Sequence, residues 1–340
     1  MRKLEEFLRP SQEKLYKNII RWAGEVKAKS WEMKKKFVLV KGEAPIMLVA
    51  HLDTVHKKTV KYICKTSDDN ILMSPQGIGG DDRCGVYALV NVFEMSDKKP
   101  WLLFTCDEEI GGVGAEAFST AYSKGKLPKE LAGLKCIIEV DRKGRNDAVY
   151  YDCDNADFEK YITGKGFKTQ HGSFSDISYI APDLGVAAVN LSSGYYNAHT
   201  EHEYIVRSEI DAVIGVIVDI VAEAAQADFP KYEWVKRKEV AFNYGGRTSF
   251  WSIPSSRGHS YSTYDQIPWD LPYHYFDAYD YLLEIYTKKE LEDLRANWGD
   301  DILQELYEME FDGINSREMI ESLEAEAEDD AKEEELKCAN

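Results

Sequence analysis

The chain has 340 residues, 44% of them hydrophobic and 30% charged, with a formal net charge of −18. That composition is typical of soluble globular chains, and the acidic excess excludes nucleic acid as the main partner, because phosphate recognition needs a basic surface. Six dispersed cysteines with no CxxC pair exclude a disulfide framework and suit a reducing cytoplasm.

The first residues, MRKLEEFLRP, lack the apolar core of a signal peptide, and no apolar run approaches membrane-spanning length. A cytoplasmic, non-membrane location is the expectation. Helical spacing runs over residues 12–26. Residues 36–41 (KFVLVK) and 46–50 (IMLVA) read as short strands split by a turn at GEAP. Residues 62–65 and 71–73 flank TSDDN and read as a hairpin. Helix is expected over 85–95, strand over 101–106, helix over 114–122 and strand over 136–140. Residues 148–152 alternate like a strand, and 157–164 look helical. A strand over 186–191 precedes a long amphipathic helix over 208–225. Strands alternating with helices predict an α/β class, a three-layer α/β/α sandwich with a mostly parallel mixed central sheet. Chemistry is then expected at the carboxyl ends of the strands.

The pattern changes near Pro230. Residues 230–312 form an aromatic-rich extension containing FWSIPSSRGHSYSTYDQIPWDLPYHYFDAYDYL. Residues 313–340 are an acidic, low-complexity tail, read as a solvated helix or disordered end.

The strand ends carry an unusual set of side chains. IMLVA runs into HLDTVH, giving His51 and Asp53, and PQGIGGDDRCG presents Asp81 and Asp82 just before a helix. LLFT runs into CDEEIGG, giving Asp107, Glu108 and Glu109. CIIEV is followed by Asp141, and VAAVNL by a loop holding His199, His202 and Glu203. Singly, each has an ordinary explanation as a cap, a surface pair or a solvated turn. Together they place imidazoles and carboxylates along one sheet edge, with no thiolate set. That donor mixture suits Zn²⁺, with Mn²⁺ or Co²⁺ possible.

The ordered set HLDTV, GGDDRCG, DEEIGGVGA, EVD and YYNAHTEHEYI resembles the co-catalytic di-zinc exopeptidases. That superfamily includes peptidase T, glutamate carboxypeptidases, desuccinylase and deacetylase amidohydrolases, and leucyl aminopeptidases. The resemblance covers residues 51–206 and implies a zinc-exopeptidase-like fold with residues 1–229 as the catalytic domain. It implies His51, Asp81, Glu109, Asp141 and His199 as ligands of two zinc ions, with Asp81 bridging and the Asp81–Asp82 peptide cis. It implies Glu108 as general base and Asp53 as the carboxylate orienting His51. His199 is preferred to His202 because the family's closing histidine has an acid four residues on, here Glu203. The implied reaction is metal-assisted hydrolysis of an amide bond by an activated water.

Only 57 residues lie between Asp141 and His199, too few for the lid domain that some members insert there. An aminopeptidase acting on small peptides is therefore preferred, while the DEEIGGVGA wording is closer to peptidase T and the carboxypeptidases. A carboxypeptidase, an N-acyl-amino-acid deacylase or desuccinylase, a two-metal phosphoesterase and a non-catalytic metal- or peptide-binding protein stay open as alternatives. Arg83, Arg142 and the loop Gly194, Tyr195, Tyr196 and Asn197 are candidates for binding a substrate carboxylate. Asp176, in GSFSDIS, is a candidate structural residue, and the aromatic extension a candidate cover for the open edge of the site. Oligomeric state is not legible, and Asp107 is left without a role.

Overall fold

Two-residue periodicity decides how the central strands are buried. In β3, Ile46–His51, Ile46, Leu48 and Ala50 join one apolar core, while Met47 and Val49 join a second. A strand covered on both faces must be apolar throughout, as IMLVA is. In this computed structural model the described residues are 2–172, 174–237, 239–244, 247–252, 282, 285–298, 302, 303, 306 and 320. Packing divides the chain into two units, Met1–Gly258 and His259–Asn340.

The first unit opens with helices α1, Glu5–Leu8, and α2, Gln12–Glu25. The N-terminus of α2 is capped by Ser11, whose hydroxyl accepts from the Lys14 amide at 3.3 Å. Strands β1 (Ser30–Met33), β2 (Phe37–Val40) and β3 follow, then the short β4 (Cys64–Lys65) and β5 (Ile71–Met73). Next come α3 (Gly80–Met95), β6 (Trp101–Thr105), α4 (Val113–Ser123) and β7 (Cys136–Arg142). Strand β8 (Asp147–Val149), α5 (Ala156–Thr163), β9 (Lys168–Gln170), α6 (Ile177–Leu184) and β10 (Ala188–Ser192) lead to β11 (Tyr195–Tyr196) and β12 (Tyr204–Val206). Helix α7, Arg207–Ala224, completes the layers, and β13 (Glu239–Tyr244) and β14 (Arg247–Ser252) form an antiparallel hairpin.

The main sheet has eight strands in the order β1-β2-β6-β3-β7-β10-β8-β9. Its centre, β6-β3-β7-β10, is parallel, and β2 and β8 join that centre antiparallel. Helices α1, α2, α3 and α7 supply Phe7, Trp22, Val90 and Ile214 to one core, and α4 and α6 supply Phe118 and Ile180 to the other. This is the expected three-layer α/β/α sandwich. A small antiparallel sheet, β11-β12-β5-β4, contains the expected hairpin. The parallel strands β6, β3, β7 and β10 all end on one side, and the candidate residues follow those ends.

The structure departs from the expected elements in several places. The strand expected over 148–152 stops at Val149, because Tyr151 takes a left-handed φ of 49° and turns the chain. The hairpin strand expected over 62–65 pairs only from Cys64. Helix α6 was not anticipated, since Pro182 within it masks the helical pattern. In the second unit, Leu282, Tyr286, Leu291 and Leu294 are buried and Lys288–Trp298 is helix α8. The aromatic stretch 253–281 and most of the acidic tail lie outside the described residues. Among the described residues no helix is long and apolar enough to cross a membrane.

Helix α3 packs closely on β7. A Cβ on Gly85 would lie 2.0 Å from the Val140 carbonyl oxygen, which the sheet holds in place. Gly24 is exposed in α2, and its added Cβ would meet nothing within 4 Å. We expect Gly85→Ala to lower stability by about 3 kcal/mol or to prevent folding, and Gly24→Ala to raise it by roughly 0.5–1 kcal/mol, both read by urea unfolding.

Candidate metal centre

His51 ends β3 with its imidazole buried. Nδ1 lies 3.4 Å from Asp53 Oδ1, and Nε2 lies 3.1 Å from Asp81 Oδ1 and 3.5 Å from Asp141 Oδ1. On the other side of Asp81, Oδ2 lies 3.2 Å from His199 Nε2, which is 3.1 Å from Glu109 Oε2. Two three-residue sets therefore share one carboxylate: His51, Asp81 and Asp141, and Asp81, Glu109 and His199. Within each set the donor atoms lie within 4.8 Å of one another. The Asp81–Asp82 peptide is cis. His202 is exposed and joins neither set.

The acidic run after β6 is shaped by a turn. Asp107 takes a left-handed φ of 61°, and Gly111 and Gly112 donate their amides to the Glu108 carbonyl at 2.9 Å. Gly112, at φ 67°, then starts α4 in a conformation that favours glycine. The turn separates the two glutamates. The Glu109 amide donates to Asp53 Oδ2 at 3.1 Å, and its carboxylate faces His199. The Glu108 carboxylate lies on the His51 side, with Oε2 3.9 Å from Nε2. Asp107 now has a place: its Oδ1 accepts from Gln12 Nε2 at 2.8 Å, tying the turn to α2.

The sequence drew attention to Glu203, Asp82 and Asp176 without their partners, and gave no sign of His56, Glu139, Ser175 or Asn190. Glu203 is fully buried and accepts from the amides of Gly79 (2.8 Å) and Asp81 (2.9 Å), and its Oε2 lies 2.8 Å from His56 Nε2. It clamps the backbone that carries the shared carboxylate. Asp82 accepts from the His51 amide at 3.2 Å and the Gly85 amide at 2.9 Å, linking β3 to the start of α3. Asn190 Oδ1 accepts from the Asp141 amide at 2.8 Å, while its Nδ2 donates to Tyr151 Oη and Ser175 Oγ. Ser175 also donates to the buried Glu139, and Thr105 to the buried Asp176. His56 lies near HLDTV but its partner is 147 positions away, so no local pattern could pair them.

The substrate candidates fall in varied surroundings. Arg83 is buried, and its Nη1 donates at 3.0 Å to the carbonyls of Phe7 and Pro10. Arg142 is buried and donates to the His171 carbonyl at 3.2 Å. Tyr195 donates to Asp141 Oδ1 at 3.4 Å, and Tyr196 to Glu209 at 2.6 Å. Gly194 turns the loop at φ 79°, and Asn197, at φ 55°, is exposed two residues before His199.

The electrostatics describe a cluster that demands positive charge. Burial pushes the Asp141 carboxyl up to about 7, with Asp81 adding to it. Burial likewise raises Glu108, and Asp141, Asp176 and Asp81 push further in the same direction. Burial opposes charge on Asp81 too, but His199 and His51 hold that carboxyl far below its usual range. Burial also opposes charge on the imidazoles, yet Asp81 and Glu109 carry His199 up to about 11, and Asp141, Asp53 and Asp81 raise His51. Glu109 Oε1 is buried without a hydrogen-bond partner. Nitrogen and carboxylate donors, no thiolate, three donors per set and an orphaned carboxylate oxygen fit zinc or another divalent transition ion.

No protein-family model matches this sequence, and no curated protein matches it. Among solved structures the chain is similar to a tripeptidase from Staphylococcus aureus, with a TM-score of 0.50 and 14% identity over 65% of this chain and 96% of that one. It is also similar to the aminopeptidase PepT of Bacillus cereus, with a TM-score of 0.49 and 15% identity over 66% of this chain and 98% of that one. An aminopeptidase from the archaeon Desulfurococcus kamchatkensis gives a TM-score of 0.48 and 15% identity over 65% and 94%. The likeness to the tripeptidase is one of fold.

Glu203→Gln would set an amide donor against the backbone donors of Gly79 and Asp81. We expect it to cost about 2 kcal/mol of stability in chemical denaturation and to weaken divalent-metal affinity by roughly 10–100-fold.

Proposed function

We propose that the chain is a metal-dependent exopeptidase that hydrolyses an amide bond of small peptides, with aminopeptidase action preferred. The observation that carries this reading is the Asp81 carboxylate shared by two donor sets, with Glu108 beside one of them and outside both. His51, Asp81 and Asp141 would hold one ion, and Asp81, Glu109 and His199 the other. Bound there, two Zn²⁺ ions, or Mn²⁺ or Co²⁺, would supply Lewis acidity that acidifies water and polarises a carbonyl.

The chain's own groups do the rest. Asp53 holds the Nδ1 side of His51, which fixes the ring with Nε2 toward Asp81 and Asp141. Glu203 and Asp82 hold the Asp81 backbone and the His51 backbone in register. Glu108 takes a proton from the attacking water and delivers it to the departing amine. Its position outside both donor sets leaves its carboxylate free for that transfer. Adjacent glutamates thus divide two tasks, and the turn after β6 makes the division possible.

The absence of an inserted lid supports a small, openly approached substrate. The span from Asp141 to His199 is taken up by β8, α5, β9, α6, β10 and β11 of the same unit. A carboxypeptidase or a deacylase would use the same centre, so a screen separates them. With zinc, manganese or cobalt added, free and N-blocked peptides and acyl amino acids are compared. Release of the first residue from free peptides, and none from N-blocked ones, is expected; turnover only of acyl amino acids would overturn the aminopeptidase assignment. Glu108→Gln should lower kcat by about 10²–10⁴ while metal content stays at the wild-type level. Glu109→Ala should instead weaken the metal, and identical behaviour of the two variants would contradict the division of roles.

A further inference from the structure

Three chain segments meet at the carboxylate of Glu203, and each of them carries one candidate metal ligand. The first, residues 51–56, begins with His51 and ends with His56, whose Nε2 lies 2.8 Å from Glu203 Oε2. The second, residues 77–81, ends with Asp81; it donates the Gly79 amide to Oε2 and the Asp81 amide to Oε1. The third holds His199, four residues before Glu203 itself. The ligands joined in this way, His51, Asp81 and His199, span both donor sets. His56 belongs to neither set.

The meeting point is closely built. The Glu203 side chain is fully buried, and that of His56 is 12% exposed. A Cβ on Gly77 would lie 2.1 Å from His56 Nδ1, and one on Gly80 would lie 3.1 Å from Glu203 Oε1. The glycines of GIGG, residues 77–80, therefore let the backbone press against both members of the pair. The His56 amide donates to Thr54 Oγ1 at 3.2 Å, which steadies the bend that aims the ring. An ionised carboxylate offers only acceptors, so the ring donates through Nε2. The bond from the His51 amide to Asp82 ties the first segment to the second. The bond from His56 ties it to the third.

We infer that His56 is a positioning residue for the metal centre: through Glu203 it sets the spacing of His51, Asp81 and His199, and both ions depend on it together. The inference rests on the two-ion reading above. Loss of Glu109 or Asp141 removes a donor from one set only. Loss of the His56 contact loosens the mounting of Asp81, which both sets share, and frees the segment of His51 from that of His199. A joint weakening of two ions, caused by a residue outside both donor sets, is the signature of this role.

Zinc binding to the wild type and to the His56→Asn and His56→Gln variants is measured by competition with a chromophoric chelator. Circular dichroism follows the folding of each metal-free protein. A Gln side chain can place an amide N–H where Nε2 stands, whereas Asn reaches only as far as Nδ1. His56→Asn should weaken both zinc ions, each by at least about tenfold, with the metal-free protein still folded. His56→Gln should restore both affinities to near the wild-type level. Unchanged affinities in His56→Asn, loss of one ion alone, or equal losses in the two variants would overturn the inference; a bulk packing role does not distinguish where one N–H is placed. If His56→Asn does not fold, His56→Met, which fills the space of the ring without a donor, takes its place against His56→Gln. A wild-type protein that binds fewer than two zinc ions would refute the two-ion reading and the inference with it, an outcome seen without any variant. If the wild type binds two ions but cleaves no peptide, the peptidase reading fails alone, and the zinc affinities still decide the role of His56.

Discussion

The carboxylate of Asp81, held between the buried imidazole of His51 and the partly exposed one of His199, is the constraint around which the rest of the site is built. Burying an isolated charge is costly unless it is paired. Here Asp81, Asp141, Glu108 and Glu109 are gathered in one partly buried place around His51 and His199. Such a cluster favours positive charge on both sides of Asp81, which the two divalent ions of the proposed function would supply. The shells of support make sense in the same terms. Glu203 fixes the Asp81 backbone, Asp82 fixes the His51 backbone, and Asp53 fixes both the His51 ring and the Glu109 amide.

The sandwich brings these groups together with little extra structure. Parallel strands β3, β6, β7 and β10 end side by side, so residues as far apart in the chain as His51 and His199 reach one spot. Strand β6 runs directly into a tight turn closed by hydrogen bonds to the Glu108 carbonyl. That turn points Glu108 and Glu109 to different sides of the centre, which an extended chain would also separate but could not aim.

Much of this architecture is legible in the sequence. Apolar runs ending in acids or histidines located β3, β6 and β7, and the three-layer class followed from alternation. The motif order brought His51, Asp53, Asp81, Glu108, Glu109, Asp141 and His199 to notice, and the structure places all seven together. The features that stayed hidden depend on long-range pairing. His56 with Glu203, Gln12 with Asp107, and Arg83 with the carbonyls of Phe7 and Pro10 join residues between 73 and 147 positions apart. Periodicity carries no information about such partners. Helix α6 stayed hidden for a local reason, the proline in its interior, and Glu139 because a lone acid in an apolar strand gives no sign of its serine partner.

The central claim, that the fold holds two ions astride one carboxylate, has a direct physical test. Crystals of the zinc-loaded protein would be measured on both sides of the zinc absorption edge. The account predicts two anomalous peaks flanking Asp81, one bounded by His51 and Asp141 and the other by Glu109 and His199. A single peak, or peaks away from Asp81, would contradict it.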